Sequence, residues 1–592
     1  MATRSITLMR SAGVGIIALS LTVYVKIASG LSLSKISGTG DLLPAYSTSS
    51  SIIGCGRWDS QFGYPFGTYQ SLRPSSDWLY SIPANLITCT SGNPFLGLNL
   101  VWLMSFPLTF VLLFVLLNHF RVWFPLALTI ALVGTLIPFH WVRLSHLYLS
   151  VTFPTVLILF LCVYLVQLRT IKSRGDLGCI ANWPKWLVSL IGFTLAISGV
   201  YYAVFGLIMM AVAFLVYASE NKWSKETLMR SWVFVPVLLG LILSQLVSWQ
   251  ANRLSPGDPQ ANERAVSHTI LYSGNLTRLL LPSPSSGVDL PDWLQTKISN
   301  IEGLAQQFNL PVPFESGSYQ NIPTVLLFLF TLLLTTFTRF SKFEGLTLEK
   351  QQSRLLELKM LWLVLISSIA FFVPWGLNLI FAEFVSPQIR AWGRLEPIIV
   401  ITLLVLSSIY VNRFFQSFER YRQIQSTVLI TLLLLLFVDV TPMMSEAVRS
   451  NIGTIQSDFQ SAKEFGNQIS LRDPNDCGVL QVPYMSWPES GPLFNLPQDG
   501  HLLMGLAIPD KNWTFGAFES SPTDVFSKDI GNDLSNAELV LLRENNFCGV
   551  QIDLRGFESQ VQYSPIVDQL TRDLDSNPLI SSNGYWMYWT IP

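Results

Sequence analysis

Two histidines and an arginine stand at regular spacing in the stretch PFHWVRLSHL, residues 138–147. His140, Arg143 and His146 lie three residues apart, so on a continuous helix they would share roughly one face. Apolar runs on both sides place this stretch at a membrane boundary, where ionisable groups are costly and tend to line a site rather than contact lipid. Arg143 suits a phosphate, because its planar guanidinium can bond two oxygens at once and stays charged.

Carboxylates in the first long connection could supply a general base. Asp41 follows the first apolar run closely, in SGTGDLLPAY, which predicts a position at the membrane surface. Asp59, Tyr64 and Asp77 follow in the same connection, among aromatic residues that could line a binding site. For each acid the alternative is a solvated loop carboxylate, and the aromatic residues could equally form an interfacial belt.

Three further arginines, Arg278, Arg390 and Arg394, lie in connections predicted on the same side of the membrane. With Arg143 they could form an anion pocket beside the bilayer, although each could instead reach from the interface into water. A carboxylate next to a phosphate pocket indicates group transfer from a lipid-phosphate carrier, since that reaction needs a base and cations for the departing phosphate. The chain contains neither GxxxxGKS nor GxxxxGKT, the motifs that would indicate ATP binding.

The elements that must position these residues are membrane helices. Half of the 592 residues are apolar and 13% are charged, against about 25% charged in soluble proteins, so the sequence predicts a polytopic α-helical membrane protein. Runs 186–201 and 202–218 are short, and predict two short helices or a re-entrant hairpin. Eleven apolar runs lie near 11–33, 95–117, 122–139, 147–168, 186–201, 202–218, 231–249, 324–338, 359–383, 397–412 and 424–441.

Basic residues fix the predicted orientation, because they concentrate in every second connection. Short basic connections stay in the cytoplasm, so the N terminus is predicted inside and the C terminus outside. Segments 34–94, 250–323 and 442–592 are then outside, which in a bacterium means an inner-membrane protein with its C-terminal domain in the periplasm or cell exterior. The first run could be a cleaved signal peptide, but its length and Lys26 favour a retained helix.

Charge divides the chain into two predicted domains. Residues 444–592 hold 19 Asp and Glu against 8 Lys and Arg, which gives a net charge of −11 there and +10 on residues 1–443. Residues 1–443 are therefore predicted to form the membrane domain, and residues 444–592, called the tail below, a separate domain outside the bilayer. An acidic tail argues against nucleic acid as a partner.

The tail has the pattern of a mixed α/β domain. CGVLQVPY (477–484) and FCGVQIDL (547–554) predict strands. The dipeptide SP at 564–565 predicts a helix start, and NG at 583–584 predicts a type I′ hairpin turn.

Four of the six cysteines lie in segments predicted outside. Cys55 and Cys89 share the first outward connection, and Cys477 and Cys548 begin the two predicted tail strands. Two disulfides are expected in an oxidising compartment, with free buried thiols as the alternative. The sequence has no CxxC motif or Cys/His cluster, which argues against structural zinc, while a divalent metal ion for catalysis stays open.

Several short motifs resemble the GT-C superfamily of membrane glycosyltransferases: GD at 40–41, GYPFG and PSSDWL in the same connection, PFHWVRLSHLYL, and IRAWGRLEP. The tail stretches CGVLQVPY, NWTFGAFES and GYWMYWTI are similar to the ends of bacterial members. The resemblance implies a bundle of membrane helices, an acidic residue soon after the first one, an extracytoplasmic C-terminal domain and a polyprenyl-phosphate sugar donor. The paired acidic signature of some members is absent after the first run, where only Asp41 stands.

These observations predict a glycosyltransferase that moves a sugar from a polyprenyl-phosphate donor to an envelope glycan, lipid or protein acceptor on the outer side of the membrane. Asp41 is the expected general base, and Asp59 is the reserve. Two alternatives stay open: a flippase for lipid-linked sugars, which should show internal repeats that are not found here, and a polymerase or ligase of lipid-linked oligosaccharides. The residues expected at the donor phosphate are Arg143, His140, His146, Arg390, Arg394 and Arg278, with Asp77 and Tyr64 lining the substrate.

Overall fold

A computed structural model gives the architecture of the chain. Most of it is helical, with one small sheet near the C-terminal end. The structure describes residues 2–50, 61–67, 77–167, 180–221, 223–254, 264–283, 287–288, 290–293, 295–297, 300, 318–337, 348–473, 476–488, 491–532 and 534–592.

Each of the eleven predicted apolar runs overlaps one long apolar helix, and some also reach a short helix beside it. Of the apolar helices in the described ranges, nine segments are long enough to cross a membrane, and two are shorter, beginning at Lys185 and Ile322. The polytopic fold class predicted from the sequence is therefore confirmed. The eleven helices are α1 Ala2–Ser29, α2 Leu96–His119, α3 Phe124–Thr135, α4 Phe153–Val166, α5 Lys185–Ala196, α6 Val200–Asn221, α7 Phe234–Leu254, α8 Ile322–Phe337, α9 Leu348–Phe372, α10 Glu396–Ser417 and α11 Arg422–Met444.

The short pair predicted between 186 and 218 forms two separate helices. The turn between α5 and α6 occupies residues 197–199, and Gly199 has a φ of +133° that a side chain would strain. The turn is thus shorter than the sequence indicated, and it lies before the boundary predicted between residues 201 and 202.

Connections on one side of the bundle carry short helices of their own. We call this side, which faces the tail, the tail side. Its helices are Leu42–Ser50, Trp78–Ser91, Phe139–Val142, Leu147–Ser150, His268–Leu271, Leu276–Leu280 and Leu377–Phe384, with 3₁₀ turns at Leu144–His146 and Trp392–Leu395.

The tail is joined to the bundle by a continuous helix. Helix α11 passes through a π-helical turn at Ser445–Arg449 into α12, Ser450–Ser470. The amide of Gln456 in α12 donates to the carbonyl of Ile36, 3.1 Å away, beside the end of α1. The remaining tail helices are α13 Leu502–Ala507, α14 Pro522–Asn532, α15 Asn536–Glu544 and α16 Gln560–Asp573.

Five strands form the tail sheet in the order β2-β1-β3-β5-β4. The first three pair in parallel, with Val479 opposite Gly549, and β5 runs antiparallel to β3 and β4. Strands β1 and β3 are buried along their whole length, as expected for parallel strands covered on two faces. Their bounds are β1 Gly478–Val482, β2 Asn512–Trp513, β3 Phe547–Asp553, β4 Leu579–Ile580 and β5 Trp586–Thr590.

Two local predictions in the tail are wrong. Helix α16 begins at Gln560 with Ser559 as its N-cap, so Pro565 lies inside the helix, which continues past the missing N–H. The hairpin between β4 and β5 forms, but only Gly584 of the NG pair has a positive φ (73°), so the turn is not type I′. Asn583 instead accepts the backbone N–H of Tyr585 at 3.1 Å through its side chain.

The predicted tail disulfide is confirmed. Cys477 and Cys548 are bonded, with their Cα atoms 5.6 Å apart, and the bond joins the starts of the neighbouring strands β1 and β3. Cys89 is also disulfide-bonded, whereas Cys55, its predicted partner, lies outside the described residues.

Candidate active site

A cavity of about 830 Å³ lies on the tail side of the helix bundle. It brings together Asp41, Arg143 and His146 from two connections that are far apart in the sequence. Three other predicted residues, Arg278, Arg390 and Arg394, line the same cavity, together with Trp141, Tyr201, Arg264, Tyr272, Ser283, Ser318, Tyr319, Met443, Ala447, Pro488 and Gln498.

Asp41 and His146 are in direct contact within this cavity. The Nδ1 of His146 lies 2.6 Å from Oδ2 of Asp41, and the two side chains are 33% and 62% exposed. Because an ionised carboxylate can only accept, Nδ1 carries the proton and donates it. The pair therefore fixes the carboxylate while leaving it open to a substrate.

A glycine brings Asp41 to this position. Gly40 has a φ of +64°, which glycine adopts freely, and a Cβ there would stand 3.4 Å from the Cβ of Ser145. The turn starts the helix Leu42–Ser50 immediately after Asp41 and packs the chain against the residue that precedes His146.

A buried tryptophan carries two of the arginines. Trp392 is fully buried and stacks on Phe371, with ring centroids 5.0 Å apart. Arg390 and Arg394 lie two residues to either side of it, and both line the cavity. Packing of the indole thus fixes the turn that presents both guanidinium groups.

Four of the cavity arginines lie over aromatic rings. The guanidinium carbons of Arg143, Arg278, Arg390 and Arg394 are 5.1, 5.3, 4.8 and 4.4 Å from the ring centroids of Phe139, Tyr319, Tyr272 and Tyr201, respectively. Such cation–π contacts hold a planar guanidinium in place without consuming its charge. Of the described residues that line the cavity, five are arginines and one is an acid, so the cavity favours an anion.

A buried carboxylate organises one wall of the cavity. Glu396 is fully buried at the start of α10 and accepts the backbone N–H of Ser318 at 2.7 Å and the amide of Gln320 at 2.9 Å. These bonds hold the strand-like segment that carries Tyr319, which lies under Arg278. The carboxylate also interacts electrostatically with Arg143 and Arg278. Glu396 was not predicted, although it follows Arg394 by two residues in the same motif.

His140 does not share a face with Arg143 and His146, so that prediction is wrong. The helix predicted through PFHWVRLSHL breaks into Phe139–Val142, a 3₁₀ turn and Leu147–Ser150. His140 is fully buried, stacks on Phe106 at 3.7 Å, and bonds the hydroxyl of Ser105 at 2.7 Å. It braces α2 against this segment and does not line the cavity.

Two other predicted residues also lie elsewhere. Tyr64 donates to the carbonyl of Asn545 at 2.9 Å and packs on Phe547, so it docks the first long connection onto the tail. Asp77 precedes the helix Trp78–Ser91, lies close to Gly199 and does not line the cavity. Asp59 lies outside the described residues, and its role as reserve base stays a prediction.

No group of three His, Cys, Asp or Glu residues that could hold a metal ion is found in the parts of the chain that the structure describes. Asp41 and His146 provide two such donors, and the arginines around them would repel a cation. The residues seen here therefore fit an anion better than a metal.

Several cavity residues were missed in the sequence. Arg264 lies in a predicted outward segment, as Arg278 does, and its charge was the available signal. It donates to the carbonyl of Gln388 at 3.0 Å, which ties two connections together. The tyrosines under the arginines and the tail residues Pro488 and Gln498 had no spacing signal, because they meet the site only through the tertiary fold.

No protein-family model and no curated protein sequence matches this chain, but solved structures do. The crystal structure of ArnT from Cupriavidus metallidurans bound to undecaprenyl phosphate matches with a TM-score of 0.52 and 10% identity, over 98% of both chains. A cryo-EM structure of a variant of the arabinofuranosyltransferase AftD from Mycobacteria matches with a TM-score of 0.50 and 13% identity, over 91% of this chain and 36% of that one.

The chain has the GT-C fold. It spans about a third of the length of the arabinofuranosyltransferase structures it matches. An oligosaccharyltransferase from Archaeoglobus fulgidus also matches, over 90% of this chain and 69% of that one at 12% identity. Its TM-score is 0.46, so the assignment of the fold does not rest on it. The resemblance that the sequence motifs indicated is thus confirmed at the level of the GT-C fold.

Proposed function

We propose that this protein is a membrane glycosyltransferase that takes a sugar from a polyprenyl-phosphate carrier and transfers it to a hydroxyl of an acceptor on the tail side. The observation that carries the proposal is the cavity that five arginines line together with the Asp41–His146 pair. The match to a GT-C structure bound to undecaprenyl phosphate supports a carrier of this class.

The arginines would act on the phosphate of the donor. Arg143 and its neighbours bind the phosphate through charge-assisted hydrogen bonds, which strengthen as negative charge develops on the departing group. Their stacking on aromatic rings keeps the guanidinium groups in place before the donor arrives. The donor is thereby oriented with its anomeric carbon toward Asp41.

Asp41 would act on the acceptor. Its carboxylate takes the proton of the acceptor hydroxyl, the freed oxygen forms a bond to the anomeric carbon, and the bond from that carbon to the phosphate breaks. The polyprenyl phosphate leaves with the electron pair, and the arginines compensate its charge. His146 orients the carboxylate through the 2.6 Å bond.

The test separates chemistry from donor binding. In full-length protein in lipid nanodiscs, Asp41→Asn keeps the side-chain shape but removes the base, so transfer of radiolabelled sugar from the lipid extract of source membranes should fall roughly 10²–10⁴-fold. The Kd for undecaprenyl phosphate should stay within about twofold of its value in the unaltered protein. The substitution removes a group that acts in the transition state and leaves the residues proposed to bind the phosphate in place. Arg143→Ala should weaken both binding and transfer.

Asp292→Asn is the matched control, since Asp292 is an exposed carboxylate of a tail-side connection that does not line the cavity. It should leave both measurements unchanged. If Asp41→Asn transfers normally while Asp59→Asn abolishes transfer, the base is Asp59. Normal transfer by both variants would refute the mechanism.

A further inference from the structure

One wall of the cavity belongs to the tail. Pro488 and Gln498 reach the cavity from a segment that we call the tail arm, defined as residues 487–488 and 491–499. The opposite walls come from the membrane helices and their connections. Whatever fills the cavity therefore contacts both domains.

We propose that the tail arm selects the acceptor, and that the acceptor is an uncharged saccharide whose hydroxyls bind Gln498. The inference rests on the proposed glycosyltransferase function and names the acceptor class that this function leaves open.

The tail arm is held in a fixed shape at its base. The indole N–H of Trp487 donates to Oδ1 of Asp499 at 3.1 Å, and both side chains are buried. The ring of Trp487 packs edge-on against Phe518, 4.8 Å away. The two ends of the arm are therefore joined to each other and to the tail, which keeps Gln498 at the cavity without a cost of ordering on binding.

The middle of the tail arm is anchored to the sheet. The backbone N–H of Asn495 donates to the carbonyl of Arg555 at 2.9 Å, just beyond the end of β3. Leu496 is fully buried next to this contact. The arm thus extends from the carboxyl end of the parallel strands, the edge at which α/β sheets commonly bind ligands.

The amide of Gln498 is oriented but not fully used. Its Nε2 donates to the carbonyl of Pro488, the other cavity residue of the arm. A primary amide has a second N–H and an oxygen that accepts two bonds, and within the described part of the chain Gln498 makes no further hydrogen bond. A sugar hydroxyl both donates and accepts hydrogen bonds, so it can bind the second N–H and the oxygen of the Gln498 amide.

The distribution of charge favours a neutral acceptor. The described cavity residues from the tail are Ala447, Pro488 and Gln498, none of which is charged, whereas the arginines lie on the membrane-domain walls. An anionic acceptor would be attracted to the arginines and would compete with the donor phosphate. A neutral saccharide avoids this competition and places its hydroxyls between the tail arm and Asp41.

The test measures transfer to separated acceptors. Full-length protein in nanodiscs is given the radiolabelled lipid extract, together with neutral glycan, anionic glycan, protein or lipid fractions of the source envelope. Label should enter the neutral glycan fraction. Gln498→Leu should raise the KM for that fraction about tenfold, since it removes one or two hydrogen bonds, while binding of undecaprenyl phosphate stays unchanged.

Gln569→Leu is the matched control, because Gln569 is also a half-buried tail glutamine whose amide donates to a backbone carbonyl, that of Leu534, away from the cavity. It should leave the KM unchanged. Trp487→Phe, which keeps an aromatic ring but removes the indole N–H that donates to Asp499, should raise the KM with little change in kcat. Gln498→Asn, which shortens the amide, should do the same if the leucine variant does not fold.

Three outcomes would overturn the inference: label that enters the anionic, protein or lipid fraction instead, an unchanged KM in both Gln498 variants, or a parallel loss of undecaprenyl phosphate binding. In each of these cases transfer itself persists. Absence of transfer to every fraction by the unaltered protein would instead contradict the proposed function, so the two failures are distinguishable.

Discussion

His501 is buried in the tail beside the strand end at Pro483. Its Nε2 lies 2.9 Å from the carbonyl oxygen of Pro483, to which it donates, and its ring packs against Phe515 at 5.4 Å. Burial lowers the pKa of His501 below its ordinary value of 6.5, and this effect outweighs the opposing influence of the Asp553 charge. The folded tail therefore holds this imidazole neutral where the unfolded chain would protonate it.

Acid should destabilise the tail through this histidine. Because the folded pKa is below 6.5, the unfolded state binds more protons in the window between the two values. The free energy of unfolding should then fall as pH drops below 6.5, by at most about 1.4 kcal/mol per pH unit. Hydrogen exchange of the β1 and β3 amides in the full chain measures this loss, and His501→Gln should reduce it. An equal loss in the variant would exclude His501 as the cause.

Individual site residues differed in how well the sequence indicated them. Asp41 and Arg143, which the sequence indicated from their positions at membrane boundaries, line one cavity, and their roles there stay predictions. His140 was misplaced, because a three-residue spacing gives a shared face only if the helix continues, and here it breaks at Arg143. Glu396 was missed because a buried acid whose partners lie 76 and 78 residues away leaves no local pattern.

Elements were more predictable than residues. Apolar runs in the sequence located the eleven apolar helices of the described ranges, nine of which lie in segments long enough to cross a bilayer. Strands β1 and β3 were found for a similar reason: buried parallel strands are continuously apolar. Boundaries failed where a polar residue could begin a helix at more than one position, as at Ser559 and Ser564.

The disulfide between the starts of β1 and β3 should stabilise the tail. It links cysteines separated by 71 residues, and a crosslink of this kind contributes about 2–4 kcal/mol by restricting the unfolded chain. The double variant Cys477→Ser, Cys548→Ser should lower the free energy of unfolding of the tail sheet by that amount, measured by hydrogen exchange in the full-length protein.

Cys162→Ala serves as the control for this experiment, since Cys162 is a buried free thiol of α4. It should leave exchange in the tail unchanged. Recovery of Cys477 and Cys548 as free thiols in a non-reducing peptide map would contradict the disulfide. It would also weaken the prediction that the tail lies in an oxidising compartment.

At the scale of the whole molecule, the cavity lies between the helix bundle and the tail. The membrane domain supplies the arginines and Asp41, and the tail supplies Pro488 and Gln498. Contacts from the first long connection also join the domains: the backbone N–H of Tyr64 donates to the carbonyl of Trp513 at 3.0 Å. The sequence divided the chain by charge at residue 443, but charge does not reveal that one cavity is lined by residues from both sides of that division.

The predicted orientation can be measured with fusions. A fluorescent protein that folds only in the cytoplasm should be bright after Arg420, which lies between α10 and α11, and dark after Gly287 or Pro592. The basic residues around Arg420 are the physical reason, since such connections remain inside. Alkaline phosphatase fusions at the same positions should give the reverse pattern. Fluorescence after Pro592 would contradict a crossing count of eleven.

The continuous helix from Arg422 to Ser470 sets the angle between the tail and the helix bundle. An α-helix turns about 100° and rises about 1.5 Å per residue. Inserting one residue below the tail would therefore rotate Gln498 and Pro488 off the cavity, whereas inserting a full turn would restore their direction but move them about 5.4 Å along the helix axis. The π-helical turn at Ser445–Arg449 holds a wider ring of residues than an α-turn. A change of helix length at this turn would therefore alter both the angle and the distance between the tail and the bundle.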